Sequence, residues 1–385
     1  MIPQPTLPFA RPCIDEAAIA EVVDCLRSGW ITTGPRVERF EAMLRDYFQA
    51  PSAQCCTSAT AGLFMALESL DLKPGDEVIT TPMTFAATLN CIVLAGGVPR
   101  LVDVDRTTYN LRVDQVAQAI TPKTRALLPV HFAGLPVDLD PLYELATKHG
   151  LRVIEDVAHA IGAEYKGRRL GSFGDTQVFS FHPNKNITTG EGGCVITRDE
   201  AMRQRIQLLR FHGIDRDAVP DLKKRGLPHY DIALAGHKFN MMDLQAALGL
   251  HQLPRLAEFN ERRRQLAEVY LRELADCRGL LLPQAPSYEH RHAWHLFAPL
   301  VNSDAVGLSR EVFMERLKQA GIAAGLHYQA IHLGSFYQKE FGYRRGDFPN
   351  AEFISDRVVS LPLFPTLSDQ DQARVISAIR QIFSS

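Results

Sequence analysis

Three short stretches carry side chains that could do chemistry together, and each stands where an apolar run ends. Phe179-Ser180-Phe181-His182-Pro183-Asn184-Lys185 leads into a glycine-rich turn, Thr189-Gly190-Glu191-Gly192-Gly193. A lysine held beneath apolar strands has a depressed pKa, so its free amine can attack an aldehyde and form a Schiff base. Val153-Ile154-Glu155-Asp156-Val157-Ala158-His159 puts a carboxylate at the end of an otherwise apolar segment, and a buried carboxylate needs a partner. A protonated pyridine nitrogen is such a partner, because an ionised Asp keeps the ring cationic and so a better electron sink for a carbanion. In Cys56-Thr57-Ser58-Ala59-Thr60-Ala61-Gly62, small residues let backbone N–H groups approach a phosphate at the positive end of a helix. Each has an ordinary alternative: an exposed lysine, an N-cap Ser or Asp, a surface histidine at position 159. Together, a phosphate seat, an acid and an amine arrive in chain order, each at a strand's carboxyl end, where open α/β sheets bind ligands.

The elements that would position them alternate between short β-rich runs and helical patterns. Strands are predicted at 54–56, 77–80, 99–102, 124–130, 152–155, 176–181 and 193–196, and helices at 61–69, 86–95, 113–119 and 139–148. This order is the signature of a mostly parallel sheet with helices on its faces. Ahead of it, 15–27 reads as an amphipathic helix stopped at Gly29, and Trp30-Ile31-Thr32-Thr33-Gly34-Pro35 as a loop. After residue 240 a helical stretch runs from 242 to 275, broken at Pro254, and a Pro-rich passage follows. A strand near 294–301, a helix near 310–320 and a closing helix near 369–383 suit a smaller α+β unit.

Single cores stop growing near 250–300 residues, so a chain of 385 residues with 46% hydrophobic content should form two domains. They are expected at 1–250, large and binding the ligand, and 251–385, small and C-terminal. A formal charge of -2 gives no global pull toward nucleic acid or anionic membrane, so any anion must be held locally. Seven cysteines, with no CxxC pair and no zinc-like Cys/His spacing, suggest reduced structural thiols and no metal. No apolar run approaches a membrane span, and the Pro-rich stretch 1–11 lacks a signal-peptide core. The expected location is the cytoplasm.

Ser28-Gly29-Trp30-Ile31-Thr32-Thr33-Gly34-Pro35, Thr57-Ser58-Ala59-Thr60-Ala61-Gly62-Leu63, Gly75-Asp76-Glu77-Val78-Ile79-Thr80, Glu155-Asp156-Val157-Ala158-His159-Ala160 and Ser180-Phe181-His182-Pro183-Asn184-Lys185-Asn186-Ile187-Thr188 closely resemble the sugar aminotransferases of the DegT/DnrJ/EryC1 group, which depend on pyridoxal phosphate (PLP). The resemblance covers nearly the whole chain. It implies the fold of type I PLP-dependent transferases, similar to aspartate aminotransferase, with a large sheet domain and a small C-terminal one. Within the group the likeness is to members that aminate UDP-4-keto-arabinose for lipid A modification, and it extends through 187–193, 292–297 and 360–365.

By this resemblance Lys185 forms the Schiff base with PLP and Asp156 pairs with the pyridine nitrogen. His159 lies near the ring's phenolic oxygen, Ser58, Ala59, Thr60 and Ser180 bind the phosphate, and Phe85 stacks on the ring. The arabinose type carries tryptophan where this chain has Phe85. Many members read GYNYRM where this chain reads Gly236-His237-Lys238-Phe239-Asn240-Met241. Lys238 thus takes the place of an Asn that reaches the cofactor phosphate of a neighbouring subunit, and the implied assembly is a homodimer with shared active sites. Glutamate would give its amine to the cofactor, leave as 2-oxoglutarate, and the nucleotide-linked keto sugar would then receive the amine. Substrate contacts are expected from Trp30, Ile31, His327, Tyr328 and His332. Two rivals fit the sequence less well. A sugar 3-dehydratase would carry histidine in place of Lys185, and a non-catalytic PLP-binding regulatory module would typically join a DNA-binding segment; neither feature is seen.

Overall fold

The structure, a computed structural model, describes residues 6–216, 218 and 229–384. Its centre is a seven-stranded sheet of β1 (Gln54–Cys56), β2 (Glu77–Thr80), β3 (Val98–Leu101), β4 (Thr124–Leu127), β5 (Arg152–Asp156), β6 (Thr176–Ser180) and β7 (Gly193–Thr197), in the spatial order β1-β7-β6-β5-β4-β2-β3. All pairs are parallel except those made by β7, which runs antiparallel to both β1 and β6. Six strands therefore point their carboxyl ends the same way, and β7 returns from that edge.

Alternation along the strands divides the core into two layers. Ile79, Leu127, Val153 and Phe179 pack on one face against α2 (Pro35–Phe48) and α6 (Leu139–His149). Val78, Ala126, Ile154 and Val178 pack on the other against α3 (Ala59–Glu68), α4 (Ala86–Leu94) and α7 (Glu200–Leu209). A sheet covered on both sides must be apolar on both, and these strands are. Each buried Val, Leu or Ile contributes roughly 1.5–3 kcal/mol. Among the other helices are α1 (Glu16–Ser28) and α5 (Val113–Ala119). Asp15 caps α1 by accepting from the Ala18 amide at 2.9 Å, and Gly29 ends it in the left-handed region at φ 74°.

The expected loop before residue 36 holds only to Gly34. Pro35 opens α2 at its first turn, where a missing N–H costs nothing, and Val37, Phe40, Leu44 and Phe48 repeat at helical spacing into the core. The predicted long helix divides as 243–252, a short 3-10 turn containing Pro254, and 256–273. The expected strand near 294–301 survives only at Leu300–Val301, with single bridges from Phe297 to Leu361 and Leu300 to Val358.

A third core gathers Leu266, Tyr270, Phe297, Phe313, Leu317, Ile379 and Ile382, joined by Leu7 from the far end of the chain. A fourth, including Met83, Tyr109, Phe132, Leu296, Ile354 and Val358, lies where the two parts of the chain meet.

Candidate active site

The carboxyl edge of the sheet borders a cavity of about 280 Å³ lined by the ends of β5 and β6, by residues that follow β1, β2 and β4, and by the 327–328 loop. Among its lining residues are Ser58, Ala59, Thr60, Phe85, Asp156, His159, Ser180, Lys185, His327 and Tyr328. Three segments read separately in the sequence thus meet at one place.

Asp156 is the last residue of β5 and is 6% exposed. Its Oδ2 accepts from the Thr88 hydroxyl at 2.8 Å and its Oδ1 from the Ala158 amide at 3.1 Å. Thr88 is in turn 2.7 Å from the Thr84 hydroxyl. Burial raises the Asp156 pKa, against these hydrogen bonds and the charge of Lys185. A cation arriving at this carboxylate would relieve the cost of burying it.

Lys185 sits in the loop between β6 and β7, its backbone amide donating to the His182 carbonyl at 2.9 Å. Burial pushes its amine down to about 8, with Asp156 acting the other way. The amine is therefore partly unprotonated near neutrality, as a nucleophile toward an aldehyde must be.

Ser58 caps α3, its hydroxyl accepting from the Ala61 amide at 3.1 Å. The first N–H groups of a helix have no intrahelical acceptor, so Ala59 and Thr60 bring donors to the cavity wall. Gly193 makes this approach possible: a Cβ there would stand 2.5 Å from Ser58 C and Ala59 N. Ser180 ends β6 on the same edge. A lysine, a buried carboxylate and a phosphate seat around one cavity fit PLP.

His159 is 6% exposed, with the Ala133 amide 3.3 Å from Nδ1 and the Tyr328 hydroxyl 2.9 Å from Nε2. Phe85 lies at the mouth, 58% exposed, its ring 5.9 Å from that of Tyr328. His327 lines the cavity too, and its Nδ1 is 2.9 Å from the Ser360 hydroxyl.

Four expected site residues are not at this cavity. His332 is fully buried, its Nε2 2.9 Å from Glu352 Oε1, so the expected substrate contact gives way to a hydrogen bond within the core. Lys238 is exposed elsewhere, its Nζ 2.5 Å from Asn240 Oδ1 and over the Phe211 ring at 4.6 Å. Trp30 and Ile31 are also exposed, in a loop tied to the segment after Lys238 by Thr33 Oγ1 donating to the Met241 carbonyl and the Asp243 amide donating to the Thr32 carbonyl. These three residues share one surface of the protomer. Sequence reading missed Thr84 and Thr88, whose four-residue spacing at the start of α4 was the available signal, and His295, whose ring centre is 4.4 Å from that of His159.

The model of the DegT/DnrJ/EryC1/StrS aminotransferase family matches residues 12–380. The chain is 45% identical over 384 residues to the uncharacterized protein MJ1066 of Methanocaldococcus jannaschii, covering 100% of this chain and 99% of the other. It is 41% identical over 377 residues to the spore coat polysaccharide biosynthesis protein SpsC of Bacillus subtilis, covering 98% and 97%. Among solved structures, the putative sugar aminotransferase Spr1654 of Streptococcus pneumoniae in its PMP form superposes with a TM-score of 0.91 at 34% identity, covering 98% of this chain and 99% of that one. Its PLP form gives a TM-score of 0.89 at 35% identity with the same coverage.

Proposed function

We propose, from the premise that this chain belongs to the DegT/DnrJ/EryC1/StrS aminotransferase family and is a PLP-dependent sugar aminotransferase, that it moves an amino group from glutamate to a nucleotide-linked 4-keto sugar. The carrying observation is the meeting of Lys185 and Asp156 with the N-terminus of α3 at one cavity on the sheet's carboxyl edge.

In this reading Lys185 holds the cofactor, Asp156 pairs with its ring nitrogen, Ser58, Ala59, Thr60 and Ser180 hold its phosphate, and Phe85 covers the ring. His159 faces the phenolic oxygen. When bound, PLP supplies an electron sink for the carbanion left as the substrate carbon loses a proton. Lys185 Nζ carries that proton, because its lowered pKa lets it act as a base near neutrality. Asp156 stays ionised beside the cationic ring nitrogen, with Thr88 and the Ala158 amide fixing both of its oxygens. A homodimer completes the site, with Lys238 reaching the partner's cofactor phosphate and the Trp30 and Ile31 loop beside it.

Among acceptors, UDP-4-keto-arabinose is supported by the sequence likeness at 187–193, 292–297 and 360–365. Its product, UDP-4-amino-4-deoxy-L-arabinose, would serve lipid A modification and polymyxin resistance. A UDP-, GDP- or dTDP-linked 4-keto-6-deoxy sugar is the second reading, favoured by the identity to SpsC, a polysaccharide biosynthesis protein, and by Phe85. Mass spectrometry of products from a panel of these sugars with glutamate decides. An aminated UDP-pentose supports the first acceptor, turnover only of dTDP-4-keto-6-deoxyhexoses defeats it, and amination of none overturns the proposed reaction.

A further inference from the structure

We propose that the Tyr328 hydroxyl donates a hydrogen bond to the phenolic oxygen of the bound cofactor, with His159 serving to aim it. The inference rests on the roles proposed above for Lys185, Asp156 and the phosphate seat.

The direction follows from three linked groups. The Ala133 backbone N–H lies 3.3 Å from His159 Nδ1. A backbone N–H can only donate, so Nδ1 accepts and carries no proton in the neutral ring. Burial holds His159 well below the usual imidazole range, and the charge of Lys185 acts the same way, so the ring is neutral. Its one proton is therefore on Nε2, 2.9 Å from the Tyr328 oxygen. Nε2–H donates, the Tyr328 oxygen accepts, and the phenol's own hydrogen is left to point elsewhere. Burial raises the Tyr328 hydroxyl far above the ordinary tyrosine range, so it keeps that hydrogen.

Packing fixes both rings. His295 stands 4.4 Å from the His159 ring, and Phe132 meets His159 and Tyr328 edge-on, both at 6.2 Å. Phe85 holds the Tyr328 ring from the cavity side at 5.9 Å. Both His159 and Tyr328 line the Lys185 cavity. On PLP the phosphate arm and the phenolic oxygen flank the aldehyde carbon on opposite sides. With the ring nitrogen at Asp156, the aldehyde carbon at Lys185 and the arm at the N-terminus of α3, the coupled pair His159 and Tyr328 is left for the oxygen. The nearby His327 already engages Ser360 through Nδ1.

A hydroxyl donor draws charge from the phenolic oxygen and loosens its hold on a proton shared with the Lys185 nitrogen. The test is a pH titration of the visible absorbance of the PLP-loaded protein, in wild type, Tyr328→Phe and His159→Leu. Tyr328→Phe keeps the ring and its packing. It should move the titration upward by about one pH unit, the worth of one hydrogen bond to a charged group, and weaken PLP binding several-fold by fluorescence titration. An unmoved titration in Tyr328→Phe overturns the inference, because a packing role alone predicts it. A shift in His159→Leu without one in Tyr328→Phe also overturns it, assigning the oxygen to His159 alone. Sugar amination by the wild type is measured separately, so the reaction can stand while this contact fails.

Discussion

At Lys185 the protein lowers an amine from its ordinary value to about 8 by burial alone, with Asp156 only partly opposing. At pH 7 such an amine is about one-tenth unprotonated, against about three parts in ten thousand for an ordinary lysine. The sign is definite: a pKa lowered by burial leaves the ammonium form, which cannot attack an aldehyde, dominant below about 8. Cofactor uptake by the cofactor-free protein, followed by stopped-flow absorbance, should therefore quicken about tenfold per pH unit below pH 8 and level off above it. Asp156→Asn keeps the shape but removes the charge that stabilises a cationic ring nitrogen. The glutamate half-reaction should slow by roughly 10²-fold or more while the cofactor stays bound, as checked by single-turnover absorbance. Lys185 and Asp156 were legible in sequence because a charged side chain at the end of an apolar run is conspicuous. Thr88 was not, since a threonine at a helix start reads as capping. His332 misled because its partner, Glu352, lies 20 residues further on, and only the fold turns both inward.

The elements that carry the site were readable where local pattern and tertiary role agree. The seven sheet strands are short and mostly buried, and each fell close to its predicted place. The reversed direction of β7 was not readable, because strand direction depends on the turn through 181–192 and leaves no mark on alternation. Helix α2 was hidden by its charged residues, although its apolar stripe is regular. The segment 294–301 looked like a strand but is mostly buried irregular chain, held by contacts with residues 133 and 134 and by Arg263 donating to the carbonyls of Trp294 and His295. Gly193 gives a test at this scale. Because its Cβ would meet backbone atoms of Ser58 and Ala59 at 2.5 Å, Gly193→Ala must push the N-terminus of α3 away from β7. The expected cost is about 1–3 kcal/mol, seen as a lower Tm, together with at least about tenfold weaker PLP binding. Unchanged PLP affinity would remove α3 from the phosphate seat.

For the whole molecule, Lys238, Trp30 and Ile31 are exposed and do not line the cavity of their own protomer. The proposed homodimer would bring them to the cavity of the neighbouring subunit. Sedimentation should give twice the 42.9 kDa chain mass. Mixing Lys185→Ala with Lys238→Ala chains should restore about a quarter or more of wild-type activity at the one site that keeps both residues, and no restoration would place Lys238 outside the neighbour's site. With a formal charge of -2 and no helix among the described residues long and apolar enough to cross a membrane, binding of an anionic substrate rests on such local cations. Amino transfer from glutamate to a nucleotide-linked keto sugar is tested most directly by the visible absorbance of the PLP-loaded protein under sequential additions. The predicted result is loss of the visible band on adding glutamate and its return on adding the 4-keto sugar, in wild type but not in Lys185→Ala. A band unmoved by glutamate in the wild type would contradict it.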